Sequence, residues 1–129
     1  MSALLTRTKV RNALWNYGKA WETQNPNLIL SIFTEDATYQ EGPFAEPMVG
    51  WDAIRAYWEK KVVQEQRDIR FHVENILIEG NVAVVEWIAD FVDVVKNEGA
   101  HLYEVAFLEF SGDHIKSLRE TWRSERTPL

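Results

Sequence analysis

A carboxylate set among aromatic rings is the clearest chemical signal in this chain. Glu41 follows Tyr39 and precedes Gly42, Pro43 and Phe44. There a carboxylate loses water and becomes a better base, as general acid–base chemistry requires. The structural alternative is a Glu41 that caps or salt-bridges the following loop. Tyr17 carries a hydroxyl that could donate to a ligand oxygen, or simply bond a neighbour from a helix stripe. Four further carboxylates, Glu86, Asp90, Glu104 and Glu120, fall in β-rich segments. Strand alternation puts Glu86 and Asp90 on one face with Val84 and Ile88, opposite Val85, Trp87, Ala89 and Phe91. Glu104 shares a face with Leu102, Ala106 and Leu108, and Glu120 with Leu118 and Trp122. A buried carboxylate needs a partner. These residues therefore fit an acidic cavity balanced by Arg119, Arg70 or a cationic ligand. They fit equally a solvated sheet face or a polar dimer seam.

His72 and Glu74 share a face of the first long strand, which makes His72 a pocket candidate against a plain hydrogen-bonding role. His101 and His114 fall at strand edges or turns and read as surface residues. A metal site needs three or four convergent N or O ligands, and no His-x-x-x-His or similar spacing occurs. Phosphate loops, nucleophile elbows and dinucleotide fingerprints are also missing from the sequence. No metal or cofactor is expected.

The elements that must position these groups are helices first and strands after. Val10, Leu14, Tyr17 and Trp21 recur at helical spacing, which predicts a helix over Thr6–Thr23. Asn25-Pro26 starts a second, short helix, with Asn as cap and Pro in the first turn. Leu28, Ile29, Ile32 and Phe33 form its apolar face, and Thr34-Glu35-Asp36 closes it. Ala37–Glu41 suits a short strand, and the Gly42-Pro43 and Glu46-Pro47 pairs predict a loop. A third helix runs from Trp51 to Gln64 on a stripe of Ile54, Tyr57, Trp58 and Val62. Four β-rich segments follow, Ile69–Ile78, Val82–Val95, His101–Phe110 and His114–Ser124. The breaks between them hold Gly beside Asn, Asp or Glu, as tight hairpins require. The reading is α+β, with three N-terminal helices packed on a strongly curved, mixed or mostly antiparallel sheet.

With 129 residues the chain fits a single domain, residues 1–129, able to bury a core. The net charge of −6 and the absence of any basic run argue against nucleic acid and anionic membrane surfaces as partners. The chain has no cysteine, which excludes disulfides, thiolate zinc sites and cysteine nucleophiles. MSALLTRTKV lacks the apolar core of a signal peptide, and no apolar run reaches membrane-spanning length. A cytoplasmic location is expected.

Three stretches add a resemblance. Leu30-Ser31-Ile32-Phe33-Thr34-Glu35-Asp36-Ala37-Thr38-Tyr39 resembles the helix–strand junction of the nuclear transport factor 2-like superfamily, which includes the SnoaL-like polyketide cyclases and ketosteroid isomerase. Gly50-Trp51-Asp52-Ala53-Ile54-Arg55-Ala56-Tyr57-Trp58 is similar to the opening of that superfamily's third helix. Phe110-Ser111-Gly112-Asp113-His114-Ile115, followed by Arg119-Glu120-Thr121-Trp122, is similar to its last hairpin. The resemblance covers nearly the whole chain and implies a cone-shaped fold. It places Glu41 where the isomerase has its general base and Tyr17 where it has an oxyanion donor. Ala106 stands where the second donor would be, which speaks against steroid isomerisation. It also places Trp58 and Trp122 at the cavity wall. The cyclases use a deep acid–base carboxylate, for which Glu86, Asp90, Glu104 and Glu120 are all candidates. The related epoxide hydrolases use an Asp-Arg-Asp set, of which only Arg119 suggests a member here.

The expected function is binding of a small, largely apolar molecule, held by Tyr39, Phe44, Trp58 and Trp122. If the protein is an enzyme, the chemistry implied is cofactor-free proton transfer beside a carbonyl, of isomerase, cyclase or dehydratase type. Glu41 would be the base and Tyr17 the donor. The alternative is a non-catalytic binding or dimerisation scaffold. A homodimer through the outer sheet face is expected, because Val82–Val95 is apolar on both faces.

Overall fold

The computed structural model describes residues 4–129. Helix α1 (Arg7–Glu22) is capped by Thr6, whose hydroxyl accepts from the Lys9 amide. Helix α2 (Pro26–Ser31) is capped by the Asn25 side chain, which accepts from Asn27 and Leu28. Strand β1 (Phe33–Glu41) follows at once, so Thr34-Glu35-Asp36 lies in the strand rather than closing the helix. Pairing with the end of the chain overrides the local helix-stop signal: β1 lies parallel to the last strand, from Phe33 opposite Ile115 to Glu41 opposite Glu120. The loop expected after Glu41 contains a two-residue strand, β2 (Met48–Val49), paired antiparallel with β1. Helix α3 (Trp51–Trp58) continues as a π-helical turn over Glu59–Gln64.

Four long strands complete the fold: β3 (Gln66–Glu79), β4 (Val82–Asp93), β5 (Glu98–Ser111) and β6 (His114–Pro128). They form an antiparallel meander, and the six-stranded sheet has the order β2-β1-β6-β5-β4-β3. The sheet is therefore mixed, with β1–β6 its parallel pair. Register shifts interrupt β3 between Arg67 and Arg70 and again between Val73 and Asn75. Such bulges bend a strand and strengthen its twist, which curls the sheet around the helices. Strands β3, β5 and β6 outrun their predicted ends because backbone pairing continues past the alternating apolar residues that signal them. Strand β4 instead stops at Asp93, short of the predicted Val95, where the Asp93 side chain accepts from the Val95 and Lys96 amides and turns the chain.

The core lies between the concave sheet face and the helices. Ala83, Val85, Trp87, Ala89 and Phe91 of β4 all point into it. Val10, Leu14, Tyr17 and Trp21 meet them from α1, as their helical spacing predicts. Rings dominate the contact: Tyr17 lies 5.0 Å from Trp87 and 5.7 Å from Trp58, centroid to centroid. Gly18 is required here by close approach, since a Cβ at that position would stand 2.5 Å from Cδ1 of Phe71. No helix among the described residues is long and apolar enough to cross a membrane.

Candidate functional site

The inner face of the sheet is not wholly apolar. Glu104 and Glu120 are 4% and 6% exposed, the only charged side chains in the core of the described residues. Their strands explain the placement. Leu102, Ala106 and Leu108 fix the inward face of β5, so Glu104 points inward with them. Leu118 does the same for Glu120 on β6. In the β5–β6 ladder Ala106 lies opposite Glu120 and Trp122 opposite Glu104, so the two carboxyls are diagonal neighbours. Glu41 is paired in register with Glu120 from the other side. The Gly42 amide, bonded to the Glu120 carbonyl at 3.0 Å, locks that register. Three carboxyls on the adjacent strands β1, β6 and β5 thus line one cavity of about 370 Å³.

The ladder makes Glu104 and Glu120 buried diagonal neighbours whose protonation is linked. Burial, and then the Glu120 charge, pushes Glu104 well above the usual carboxylate range. Burial also pushes Glu120 up, to about 7, and the Glu41 charge adds to the rise while hydrogen bonds from Glu104 and Tyr39 oppose it. Each carboxyl leaves its Oε2 without a donor. Protonation of one carboxyl removes one of the two buried charges.

Phenols and indoles surround the pair. The Tyr39 hydroxyl donates to Glu120 Oε1 at 3.5 Å, and the Tyr17 hydroxyl lies 3.0 Å from that of Tyr39. Either hydroxyl can be the donor in that contact. The contact places the Tyr17 hydroxyl in the cavity wall, where the sequence expectation has it donate to a ligand oxygen. Burial raises both tyrosines well above their ordinary value, and the Glu120 charge raises them further. Burial, and then the Glu120 charge, raises Tyr57 of α3 as well. Trp87 Nε1 faces Glu104 without a well-formed bond, and Trp58 Nε1 has no partner.

The remaining expected site residues divide cleanly. Tyr39, Trp58 and Trp122 line the cavity with Glu41, Tyr17, Glu104 and Glu120. Phe44 does not: the loop after β1 turns it wholly into solvent, at 100% exposure. Glu86 and Asp90 lie on the outer face of β4, where Glu86 accepts from the Tyr103 hydroxyl and Asp90 bonds the His101 ring at 2.6 Å. His72 is exposed beside Glu74 and lines a separate groove between α1 and β3. Arg119 and Arg70 do not balance the cavity charge either. Arg119 stacks over Phe107 on the outer face, 4.8 Å from the ring centre, and Arg70 is exposed.

Sequence reasoning missed Tyr57 and Trp21 as cavity residues. Their signal was present, because Tyr57 shares the α3 stripe with Trp58 and Trp21 shares the α1 stripe with Tyr17.

A helix-capped, curled mixed sheet with titratable groups converging on its interior is the nuclear transport factor 2-like architecture. Residues 16–118 match the SnoaL-like domain, and the chain belongs to that family. No curated protein sequence matches it. Solved structures share the fold. One is a protein of ketosteroid isomerase-like fold from Catenulispora acidiphila in complex with trimethylamine, with 17% identity over 84% of this chain and 83% of that one, TM-score 0.74. A second is a limonene epoxide hydrolase-like enzyme of Mycobacterium tuberculosis, with 10% identity over 90% and 84%, TM-score 0.73. A third is the epoxide hydrolase/cyclase-like enzyme SalBIII, acting in pyran ring formation in the polyether salinomycin, with 17% identity over 90% and 92%, TM-score 0.77.

Proposed function

We propose that the cone binds a small organic molecule with an apolar body and performs cofactor-free acid–base chemistry on it. Glu104 and Glu120 are the working pair and Glu41 stands beside them. The observation that carries this reading is two carboxyls, each more than nine-tenths buried, side by side on a cavity wall. Glu120, pushed to about 7, is ready at neutral pH to take a proton and return it. Glu104 keeps its proton and serves as the acid. For a substrate with a C–H beside a carbonyl, the Glu120 carboxylate takes the carbon-bound proton and the C–H electron pair moves toward the carbonyl oxygen. Glu104 donates its hydrogen bond to that oxygen. Returning the proton to another carbon completes an isomerisation, and expelling a leaving group completes an elimination. Rings of Tyr39, Tyr57, Trp58 and Trp122 hold the hydrocarbon. Neighbours that bind trimethylamine, open epoxides or close pyran rings support an interior devoted to small molecules.

The scaffold alternative draws on one observation: Trp58 and Trp87 are almost wholly buried and fill part of the interior. The cavity that remains beside them favours the ligand reading. We also infer a homodimer through the outer sheet face. That face carries Val84, Ile88 and Val105, with Tyr103 and Phe107 exposed at 41% and 39%. Sedimentation equilibrium that returns a monomer would overturn it.

Carboxyl ¹³C NMR of Glu-labelled protein tests the central claim without a substrate. One carboxyl should titrate at about 7 and a second above the ordinary range, and Glu120→Gln should remove the first. Titration of every glutamate near the ordinary value would refute it. A thermal-shift panel of steroids, polyketide-like aromatics and terpenoids, run on wild type, Glu41→Gln and Glu120→Gln, then identifies the ligand class. Silence across the panel would favour the scaffold.

A further inference from the structure

We propose that the ligand of this cavity is an organic cation, a protonated or quaternary amine with apolar substituents, whose charge sits between Glu41 and the ring faces of Tyr57 and Trp122. This rests on the proposal that the cone is a small-molecule site, and it names the class of molecule.

The first support is charge without a counter-charge. Glu41, Glu104 and Glu120 line the same cavity. The basic side chains on its lining are Lys61, Lys96 and Arg126. Arg126 is committed to Asp93 at 2.8 Å and Lys61 to Glu65 at 3.5 Å. The Lys96 side chain is exposed on the β4–β5 turn. Even with Glu104 protonated, the ionisation of Glu120 near 7 puts negative charge on the cavity wall beside Glu41, and the strand register holds the three carboxyls together there. In a buried setting that charge attracts a cation far more strongly than it would in water.

The buried groups report the same field. The leading charges that raise Tyr17, Tyr39 and Tyr57 are those of Glu120, Glu104 and Glu41. A second, independent feature is that Glu104 and Glu120 are each more than nine-tenths buried with an oxygen lacking a partner.

The lining chemistry selects an organic cation over a metal ion. Among the described residues no group of three or more His, Asp or Glu side chains is placed to hold a metal. Metal ions of the hard class need several converging oxygens. Here the carboxyls alternate with Tyr and Trp rings, whose faces attract ammonium groups and whose bodies accept their alkyl substituents. A volume of about 370 Å³ admits the ammonium group together with an apolar body.

The experiment uses two probes of one shape: choline, and 3,3-dimethylbutan-1-ol, in which carbon replaces the charged nitrogen. Binding is followed by tryptophan fluorescence and calorimetry in buffers of different ionisation heat. Choline should bind roughly 10- to 100-fold more tightly than the alcohol, the range expected for a desolvated ammonium among rings and carboxylates. Its affinity should rise with pH through the region near 7, with proton release, because a cation favours the ionised form of the pair. The alcohol should show neither effect. Glu41→Gln should shrink the preference for choline to a few-fold at most. If this variant does not fold, the wild-type comparison and its pH dependence still decide. Equal or tighter binding of the alcohol overturns the cationic class and leaves the small-molecule cavity standing. If neither probe binds, the cavity reading falls with it.

Discussion

Raising the pH should loosen this fold, and the loss should run through Glu120. Folding moves that carboxyl from an ordinary value near 4.5 to about 7. The folded chain therefore binds more protons than the unfolded one between those values. The resulting stability is fully present below the lower value and is lost as pH rises through the upper one. The shift corresponds to about 3 kcal/mol, and Glu104, moved in the same direction by burial, extends the loss to higher pH. For a domain of this size that is a fall of roughly 10 °C in melting temperature between about pH 5 and pH 8. His101, raised by its bond to Asp90, acts with the same sign in the same window. Asp93 is lowered by hydrogen bonds from Lys96, Arg126 and Val95 despite its burial, so its contribution is lost only as pH falls below the carboxylate range. The assay is calorimetry across that range on wild type and Glu120→Gln, both carrying His101→Gln. The Glu120→Gln protein should lose more than half of the pH dependence. A melting temperature that is flat or rising in wild type, or unchanged in slope by Glu120→Gln, would refute the reasoning.

Tyr39→Phe removes the hydroxyl between Tyr17 and Glu120. It should cost about 1–2 kcal/mol in urea unfolding and push the Glu120 titration higher in the NMR experiment, since the Tyr39 bond holds it down. Gly18→Ala drives a Cβ against Phe71, so overpacking of about 1–3 kcal/mol should outweigh the gain of up to about 1 kcal/mol from helix propensity; an unfolding midpoint above wild type would contradict it. Leu108→Ala, at a site 1% exposed, should cost about 2–5 kcal/mol with the denaturant slope unchanged.

Much of the architecture was legible in the residues. The α1 stripe of Val10, Leu14, Tyr17 and Trp21 reads at a period of 3.6, and the structure buries all four. Asn25-Pro26 marks its helix start, and the Gly-bearing breaks mark the hairpins, because caps and tight turns are local devices. Strand alternation likewise separated Glu86 and Asp90 from Trp87 and Phe91 before any contact was known. The start of β1 was not legible. Its pairing with β6 joins residues some eighty positions apart, and local propensity around Thr34-Glu35-Asp36 points the other way.

The candidate site divides along the same line. The sequence determines that Glu41, Glu104 and Glu120 exist, that each has an apolar or aromatic neighbourhood, and that no basic run balances them. Which face of each strand is inside depends on the whole sheet. On β5 the face of Tyr103, Val105 and Phe107 is nearly as apolar as that of Leu102, Ala106 and Leu108, so alternation alone cannot choose. Only tertiary structure decided, by closing the sheet around α1 and α3, that Glu104 and Glu120 go in while Glu86 and Asp90 stay out. It also set the Tyr17 hydroxyl against that of Tyr39. Hydrogen bonds require atoms within about 3 Å of each other, and such distances are set by strand register and helix packing together.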